Sequence, residues 1–138
     1  MTLSREAKLM AAITLLVVPT IMYGGWTLLG MLTHGSAGAA GAGLKLTETQ
    51  WALWRAGHAH AGVWTVFSIL LQVLLDSTRL SAGWTWLARI TAPVSAVALS
   101  AGFFGVAFSP SFRLLLYLGI GCLLVALLVT AVGLLRSR

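Results

Sequence analysis

Two of the three histidines in this 138-residue chain, His58 and His60, lie within a long apolar stretch. They belong to the run Gly-His-Ala-His-Ala-Gly at residues 57–62. Imidazole is the commonest metal-ligating side chain, and it ligates iron in several classes of haem protein. An ionisable side chain inside a membrane segment is costly, so it marks a candidate functional site. The pair therefore predicts a site for a metal ion or a metal-containing cofactor.

The spacing of the two histidines limits the kind of site they can form. Residues on one face of an α-helix are three or four positions apart, whereas positions two apart point about 200° away from each other. His58 and His60 are therefore expected on opposite sides of one helix, where they do not chelate one ion together. Small residues around them, including Gly62, leave room for a neighbouring helix or a flat macrocycle. Trp64 is expected one turn below His60 on the same face.

Four apolar stretches are long enough to position these side chains inside a membrane, because a spanning helix needs about 20 residues. They predict helices at about residues 9–32, 48–75, 84–108 and 112–135. Only 9% of the residues are charged, against roughly 25% in an ordinary soluble domain. We therefore predict an all-α, integral membrane four-helix bundle, with residues 1–138 as a single membrane domain. The second helix is expected to begin at a capping box formed by Thr47 and Gln50.

The basic residues are scattered at the ends of the predicted helices, which indicates membrane topology and not nucleic-acid binding. Six fall on the side of the two termini and three on the other side, so the positive-inside rule predicts cytoplasmic termini in the inner (plasma) membrane. Arg89 is expected to anchor to lipid headgroups, and Gln72 and Asp76 are expected to provide polar packing and a helix terminus. The six are Arg5, Lys8, Arg79, Arg89, Arg136 and Arg138, and the three are Lys45, Arg55 and Arg113.

Glycines in the third and fourth predicted helices predict close helix contacts, because a missing side chain lets two helices approach. These glycines are Gly102, Gly105, Gly119, Gly121 and Gly133.

Residues 56–69, Ala-Gly-His-Ala-His-Ala-Gly-Val-Trp-Thr-Val-Phe-Ser-Ile, resemble the His-x-His helix in the catalytic subunit of the haem–copper oxidases. Residues 20–31, Thr-Ile-Met-Tyr-Gly-Gly-Trp-Thr-Leu-Leu-Gly-Met, resemble that subunit's first helix. In that family, two histidines two positions apart reach two haems on opposite sides of one helix. The subunit's twelve helices form three four-helix arcs about a pseudo-threefold axis, and this chain has the size of one arc.

The resemblance implies a b-type haem with His58 and His60 as axial ligands of the iron. If three copies close into a ring, His58 of one protomer and His60 of the next would hold one haem, giving a homotrimer with one haem per chain. Iron with two histidine ligands has no open position, so we expect electron transfer with a redox partner, or redox sensing, in preference to an enzyme activity. The other side chains expected at the haem are Gly62, Trp64, Arg55 and Arg113, the two arginines as partners of its propionates.

The sequence lacks the residues that other activities of that family require. There is no second histidine pair to hold copper, and neither Tyr23 nor Tyr117 lies in a His-x-x-x-Tyr context. Asp and Glu are absent from the interior of the four apolar stretches, so a proton relay has no obvious parts. An oxygen-reducing centre and a proton pump are therefore not predicted.

Two other functions remain open at this stage. A copper- or zinc-binding or transport protein would hold its metal at the outer face with His34, His58 and His60, and the thioethers of Met22 and Met31 would favour copper(I). A non-catalytic accessory subunit of a respiratory complex would instead use both histidines for hydrogen bonds across the bundle.

Overall fold

The computed structural model describes residues 2–34 and 45–137, which form four α-helices and no β-strand. Each helix is long and apolar enough to cross a bilayer. The all-α class and the four long apolar helices are confirmed, and only their ends differ from the predicted ones by a few residues. The helices are α1 (Arg5–His34), α2 (Glu48–Leu75), α3 (Ala82–Val106) and α4 (Arg113–Arg136), with a short 3₁₀-helix at Pro110–Phe112.

The predicted capping box at the start of α2 is present. The backbone N–H of Thr47 donates to Oε1 of Gln50 at 2.9 Å, and the backbone N–H of Gln50 donates to the Thr47 hydroxyl at 3.3 Å. The side-chain amide of Gln50 also donates to the carbonyl of Ala107 at 2.8 Å. The cap of α2 therefore fixes the height of α2 against the end of α3.

Hydrogen bonds at the opposite end of the bundle bring both chain ends together. The backbone N–H of Ser4 donates to Asp76 at 2.7 Å, and the backbone N–H of Arg79 donates to the Ser137 hydroxyl at 2.9 Å. The first residues, the α2–α3 loop and the end of α4 therefore share one end, which we call the terminal end. Successive helices run in alternate directions.

The helices differ in how far the bundle buries them. α3 packs extensively against both α4 and α2, whereas α1 packs on α2 and barely touches α3. Half of the apolar span of α3 is buried, compared with 6% of the span of α1. α1 is therefore the least constrained of the four helices.

Close approach of α3 and α4 depends on glycines at their contacts. A Cβ on Gly102 would lie 2.6 Å from Cδ2 of Leu116, and one on Gly119 would lie 2.8 Å from the backbone nitrogen of Leu99. Apolar helices in lipid gain little hydrophobic free energy by associating with one another. The close packing at these glycines instead stabilises the contact through dispersion interactions. The predicted contacts are confirmed at these two glycines. Gly105 and Gly133 contact Phe112 and the α2–α3 loop, and the prediction is wrong for Gly121, which has no neighbour within 4 Å.

Valine substitutions at two nearby glycines of α4 test this packing. Gly119→Val forces a side chain into the backbone of α3, and we expect the free energy of unfolding to fall by about 1–3 kcal/mol, as overpacking typically costs. Gly121→Val, two residues away in open space, is the control and should change little. Denaturant unfolding in detergent measures both, and equal losses would contradict the assignment of Gly119 to a helix contact.

Arg89 is buried inside the bundle, so the predicted headgroup anchor is wrong. Its side chain is 4% exposed and forms an ion pair with Asp76. The guanidinium also donates to the carbonyl and Oε1 of Gln72, at 3.3 and 3.2 Å, and the Gln72 amide donates to the Arg89 carbonyl at 3.0 Å. The Ser4 hydroxyl accepts from Arg89 at 3.3 Å and donates to Asp76 at 2.8 Å. Arg89 stays inside because these groups satisfy its charge and its donors there.

The predictions for Gln72 and Asp76 are confirmed, since Gln72 is fully buried and Asp76 caps the end of α2. Burial raises the pKa of the Asp76 carboxyl, but hydrogen bonds from the Ser4 backbone and hydroxyl and the Arg89 guanidinium lower it by more. The net pKa lies below the ordinary value of 3.8. A lowered folded-state pKa contributes stability above that ordinary value, and this stability is lost as the pH falls through the folded-state pKa.

Asp76→Asn should therefore destabilise the protein in a pH-dependent manner. At pH 7 the variant leaves Arg89 buried without its counter-charge, and we expect the free energy of unfolding to fall by about 3–5 kcal/mol. As the pH falls below 3.8 and then through the lowered folded-state pKa, the wild-type carboxyl becomes protonated, so the difference between the two proteins should shrink. Unfolding is measured from pH 7 to pH 3, with the exposed Glu48→Gln as the control. A variant as stable as the wild type at pH 7 would refute the role given to the pair.

Candidate functional site

α2 carries both candidate ligands, His58 and His60, in its first half. This half lies at the end of the bundle opposite the terminal end. The segment is helical despite Gly57 and Gly62, because lipid offers no partner for a backbone group that leaves the helix. Gly57 is buried under α3, where an added Cβ would lie 3.1 Å from the Phe104 ring and 3.2 Å from Cβ of Phe103. Close contact with α3 thus fixes the height and rotation of this part of α2.

His58 faces α1. Its Cε1 and Nε2 atoms each lie 3.0 Å from the position that a Cβ on Gly25 would take, and Nδ1 lies 3.8 Å from that of Gly24. The half-buried ring has no hydrogen-bond partner among the described residues. The two glycines of α1 therefore provide the space that the imidazole occupies.

His60 faces α3, where its ring lies 4.6 Å from the Phe103 ring at an interplanar angle of 38°. Its Nδ1 atom is 2.7 Å from the carbonyl oxygen of Ala56. A carbonyl only accepts hydrogen bonds, so Nδ1 carries the proton and Nε2 keeps a free lone pair. Metal-ligating histidines are commonly oriented by such a hydrogen bond from their other nitrogen. His60 is thus held in the tautomer that a ligand through Nε2 needs.

The two histidines lie on opposite sides of α2, as their spacing predicts. One packs on α1 and the other on α3, so a single chain does not bring them to one metal ion. Between them α2 exposes a narrow strip in which Ala59 and Val63 lie nearest to the two histidines. The strip consists of Ala52, Arg55, Ala59, Val63, Val66 and Leu70.

Two buried indole N–H groups on the α3 side of α2 have no acceptor among the residues that the structure describes. Trp64 lies one turn after His60, and its Nε1 has no hydrogen-bond partner. Trp54 packs edge-on against Phe104 and Phe108, at 5.7 and 5.8 Å, and its Nε1 is also unpartnered. Leaving a buried donor unpaired costs about 1–3 kcal/mol, so such a group calls for an explanation. Both are donors that a polar group of a bound ligand could satisfy.

The other predicted site residues lie near the level of the histidines. No hydrogen bond or ion pair among the described residues joins them to each other. Arg55 and Arg113 are exposed, the first one turn before His58 and the second at the start of α4. Neither forms an ion pair with a described residue. Gly62 borders open space, since no atom lies within 4 Å of a Cβ placed there. The site therefore has room and unpaired cationic groups at its outer edge.

The side chain of His34, the third histidine of the predicted copper or zinc site, lies outside the described residues. His34 ends α1 nine residues beyond Gly25, which is about 13 Å along the helix from the level of His58 at 1.5 Å per residue. Among the described side chains, no group of three or more His, Cys, Asp or Glu is placed to hold a metal ion. Met22 is exposed on α1, and Met31 is buried.

Sequence reasoning missed the groups that orient the histidines. Phe103 and the glycine pair Gly24–Gly25 come from other helices, so only the fold brings them to α2. The Ala56 carbonyl could have been found, because it lies one turn before His60 on the same helix, at a spacing where a side chain readily reaches a carbonyl.

Fold and site together define an all-α protein with four helices that can span a membrane, and with two histidines directed to opposite sides of one of them. No protein-family model, curated protein or solved structure matches this chain.

Alanine substitutions at two glycines of α1 test the placement of His58. Alanine favours helix over glycine by up to about 1 kcal/mol, so Gly30→Ala, which enters open space, should be neutral or stabilising. Gly25→Ala places a Cβ against the imidazole, so it should be less stable than Gly30→Ala and should shift the His58 ring resonances in NMR spectra. His58→Ala assigns those resonances. Identical behaviour of the two variants would contradict the contact.

Proposed function

We propose that this chain is a membrane-bound b-type haem protein that transfers electrons, with His58 and His60 as axial ligands of the haem iron. His60 carries the proposal, because its Nδ1–H is held by the Ala56 carbonyl and its ring is braced by Phe103. This arrangement leaves Nε2 as a preset ligand inside an apolar helix. The short resemblance of residues 56–69 to the His-x-His helix of the haem–copper oxidases adds to it.

Both ligands of one iron would come from neighbouring protomers. Since His58 and His60 point to opposite sides of α2, His60 of one protomer can share a haem only with His58 of another. Such a head-to-tail contact closes into a ring. We propose a ring of three with one haem per chain, and the short side chains of Ala59 and Val63 on α2 leave room at the contact.

The remaining site residues would bind and orient the group. Arg55 and Arg113 would neutralise the propionates, because a guanidinium pairs with a carboxylate through two hydrogen bonds. Trp64 offers an unpaired N–H one turn from His60, and Gly62 leaves open space beside α2. When bound, the haem would supply a one-electron redox centre, and ligation by two histidines suits electron transfer with a redox partner.

Haem binding at His58 requires a local movement of α1. The edge of the ring that carries Nε2 lies against Gly25, so a macrocycle reaches it only if α1 shifts away there. α1 is the least buried helix, and the shift would break few packing contacts. His60 is therefore the preset ligand and His58 the one that becomes available on assembly.

We also propose that both termini are cytoplasmic, in the inner (plasma) membrane. Because Arg89 is buried and paired, it no longer counts as a surface charge. Five basic residues then remain at the terminal end and three at the other, which still favours this orientation by the positive-inside rule.

A second candidate function is a non-catalytic accessory subunit of a respiratory complex. The contact between His58 and Gly25 favours it, because the imidazole there fills the space between two helices. Neither histidine forms the predicted hydrogen bond across the bundle among the described residues, since His60 donates within α2. In that function His60 would only join α2 to α3.

Visible spectra of the detergent-purified protein separate the two functions. After expression with added haem precursor, we expect a Soret band, split α/β bands on reduction with dithionite, and about one haem per chain, as for six-coordinate haem. His58→Ala and His60→Ala should both lose this spectrum, while His34→Ala, as the matched control, should keep it.

Two results would contradict the proposal, one for haem binding and one for the ring. A colourless wild-type protein would discard the haem function and favour the accessory subunit. Mass measurement by light scattering should give a trimer, and a monomer with full haem content would exclude ligation shared between protomers.

A further inference from the structure

A long apolar cleft opens between α1 and α3, away from the histidines. It has a volume of about 520 Å³ and crosses Thr65 of α2 at its floor. α1 lines it from Met10 to Val17, and α3 lines it from Ile90 to Ala101. The walls are almost entirely apolar, so the cleft suits a hydrocarbon chain and not a polar solute.

The length and position of the cleft match one leaflet of a bilayer. From Ile90 to Ala101 the α3 wall extends about 16 Å at 1.5 Å per residue. Half of a hydrocarbon core of about 30 Å is about 15 Å. Since Met10 and Ile90 lie near the terminal end of their helices, the cleft covers the leaflet on that side.

A second cavity continues the cleft at the terminal end. It has a volume of about 340 Å³, and Ser4, Asp76 and Arg89 line it together with Glu6 and Trp86. Residues four apart share a face of a helix, so Glu6 lies directly beyond Met10 on α1, and Trp86 lies directly beyond Ile90 on α3. The two cavities therefore form one groove with an apolar part and a polar end.

The charges at the polar end favour a cationic group. Arg89 and Asp76 neutralise each other in their ion pair. The Glu6 carboxylate is exposed and forms no ion pair with a described residue, so it is the uncompensated charge among the lining side chains. The partly exposed Trp86 lines the same cavity, and an indole ring attracts ammonium groups. The exposed Arg5 precedes Glu6 on α1 and carries a cation that can bind a phosphate.

We infer that this groove holds one zwitterionic phospholipid with a primary-amine headgroup, phosphatidylethanolamine, from the leaflet at the terminal end. One acyl chain lies in the α1–α3 cleft, the ammonium group lies at Glu6 and Trp86, and the phosphate is bound by Arg5. The inference does not depend on haem binding.

Native mass spectrometry tests this inference on full-length protein reconstituted with equal amounts of phosphatidylethanolamine, phosphatidylglycerol and phosphatidylcholine. We expect one phosphatidylethanolamine to remain bound after removal of detergent. Val97→Trp fills the cleft and should abolish retention, whereas Leu124→Trp, on an exposed position of α4, should not. Glu6→Gln should lower the preference for phosphatidylethanolamine by about fivefold, the factor expected for about 1 kcal/mol from one charge at the membrane surface. Glu48→Gln, at the opposite end, should leave it unchanged.

Several results would overturn the inference. Preferred retention of phosphatidylglycerol or phosphatidylcholine, or of no lipid, would refute the headgroup assignment or the site itself. Equal loss in Val97→Trp and Leu124→Trp would show that the cleft is not where the chain binds. Thermal melting identifies variants that fail to fold, and Val94→Trp, which fills the same cleft, replaces Val97→Trp if that variant does.

Discussion

The absence of water in the bilayer core governs this bundle, because each polar group there must find a partner within the protein. Hydroxyls such as those of Thr14 and Thr130 donate to the carbonyl one turn earlier on their own helix, and His60 does the same with Ala56. Arg89 is inside only where Asp76 balances its charge. Against this regularity, the His58 ring, the N–H groups of Trp54 and Trp64 and the Ser68 hydroxyl have no hydrogen-bond partner among the described residues. All four lie on α2, the helix that carries the candidate site.

The two histidines share a helix and a residue type, yet the structure constrains them differently. His60 has a fixed tautomer and a ring braced by an aromatic neighbour. His58 has neither, and its position depends on two glycines of the least buried helix. A pair of this kind suits a bound group that is first held by His60 of one chain and then receives His58 of another chain as its second ligand.

The sequence predicts the local features of this protein well. Helix lengths follow from apolar stretches, the capping box of Thr47 and Gln50 follows from its spacing, and the opposite directions of the histidines follow from helical geometry. The burial of Arg89 could not be predicted in this way, because its partners include Ser4, which is 85 residues away in sequence. The contact of His58 with Gly25 likewise depends on how α1 packs on α2, which the spacing of residues in either helix does not determine.

The ion pair at the terminal end also bears on how the chain enters the membrane during its synthesis. Asp76 and Arg89 are only thirteen residues apart and lie on either side of the α2–α3 turn. A charged side chain inside a spanning helix raises the cost of membrane insertion, by about 2.5–3.5 kcal/mol at the centre of the helix, and Arg89 lies nearer the start of α3. If α2 and α3 leave the translocation machinery together as a hairpin, the two charges enter the bilayer already neutralised. Ser4, translated long before, can join them only afterwards, so α1 is expected to dock last on a preformed hairpin.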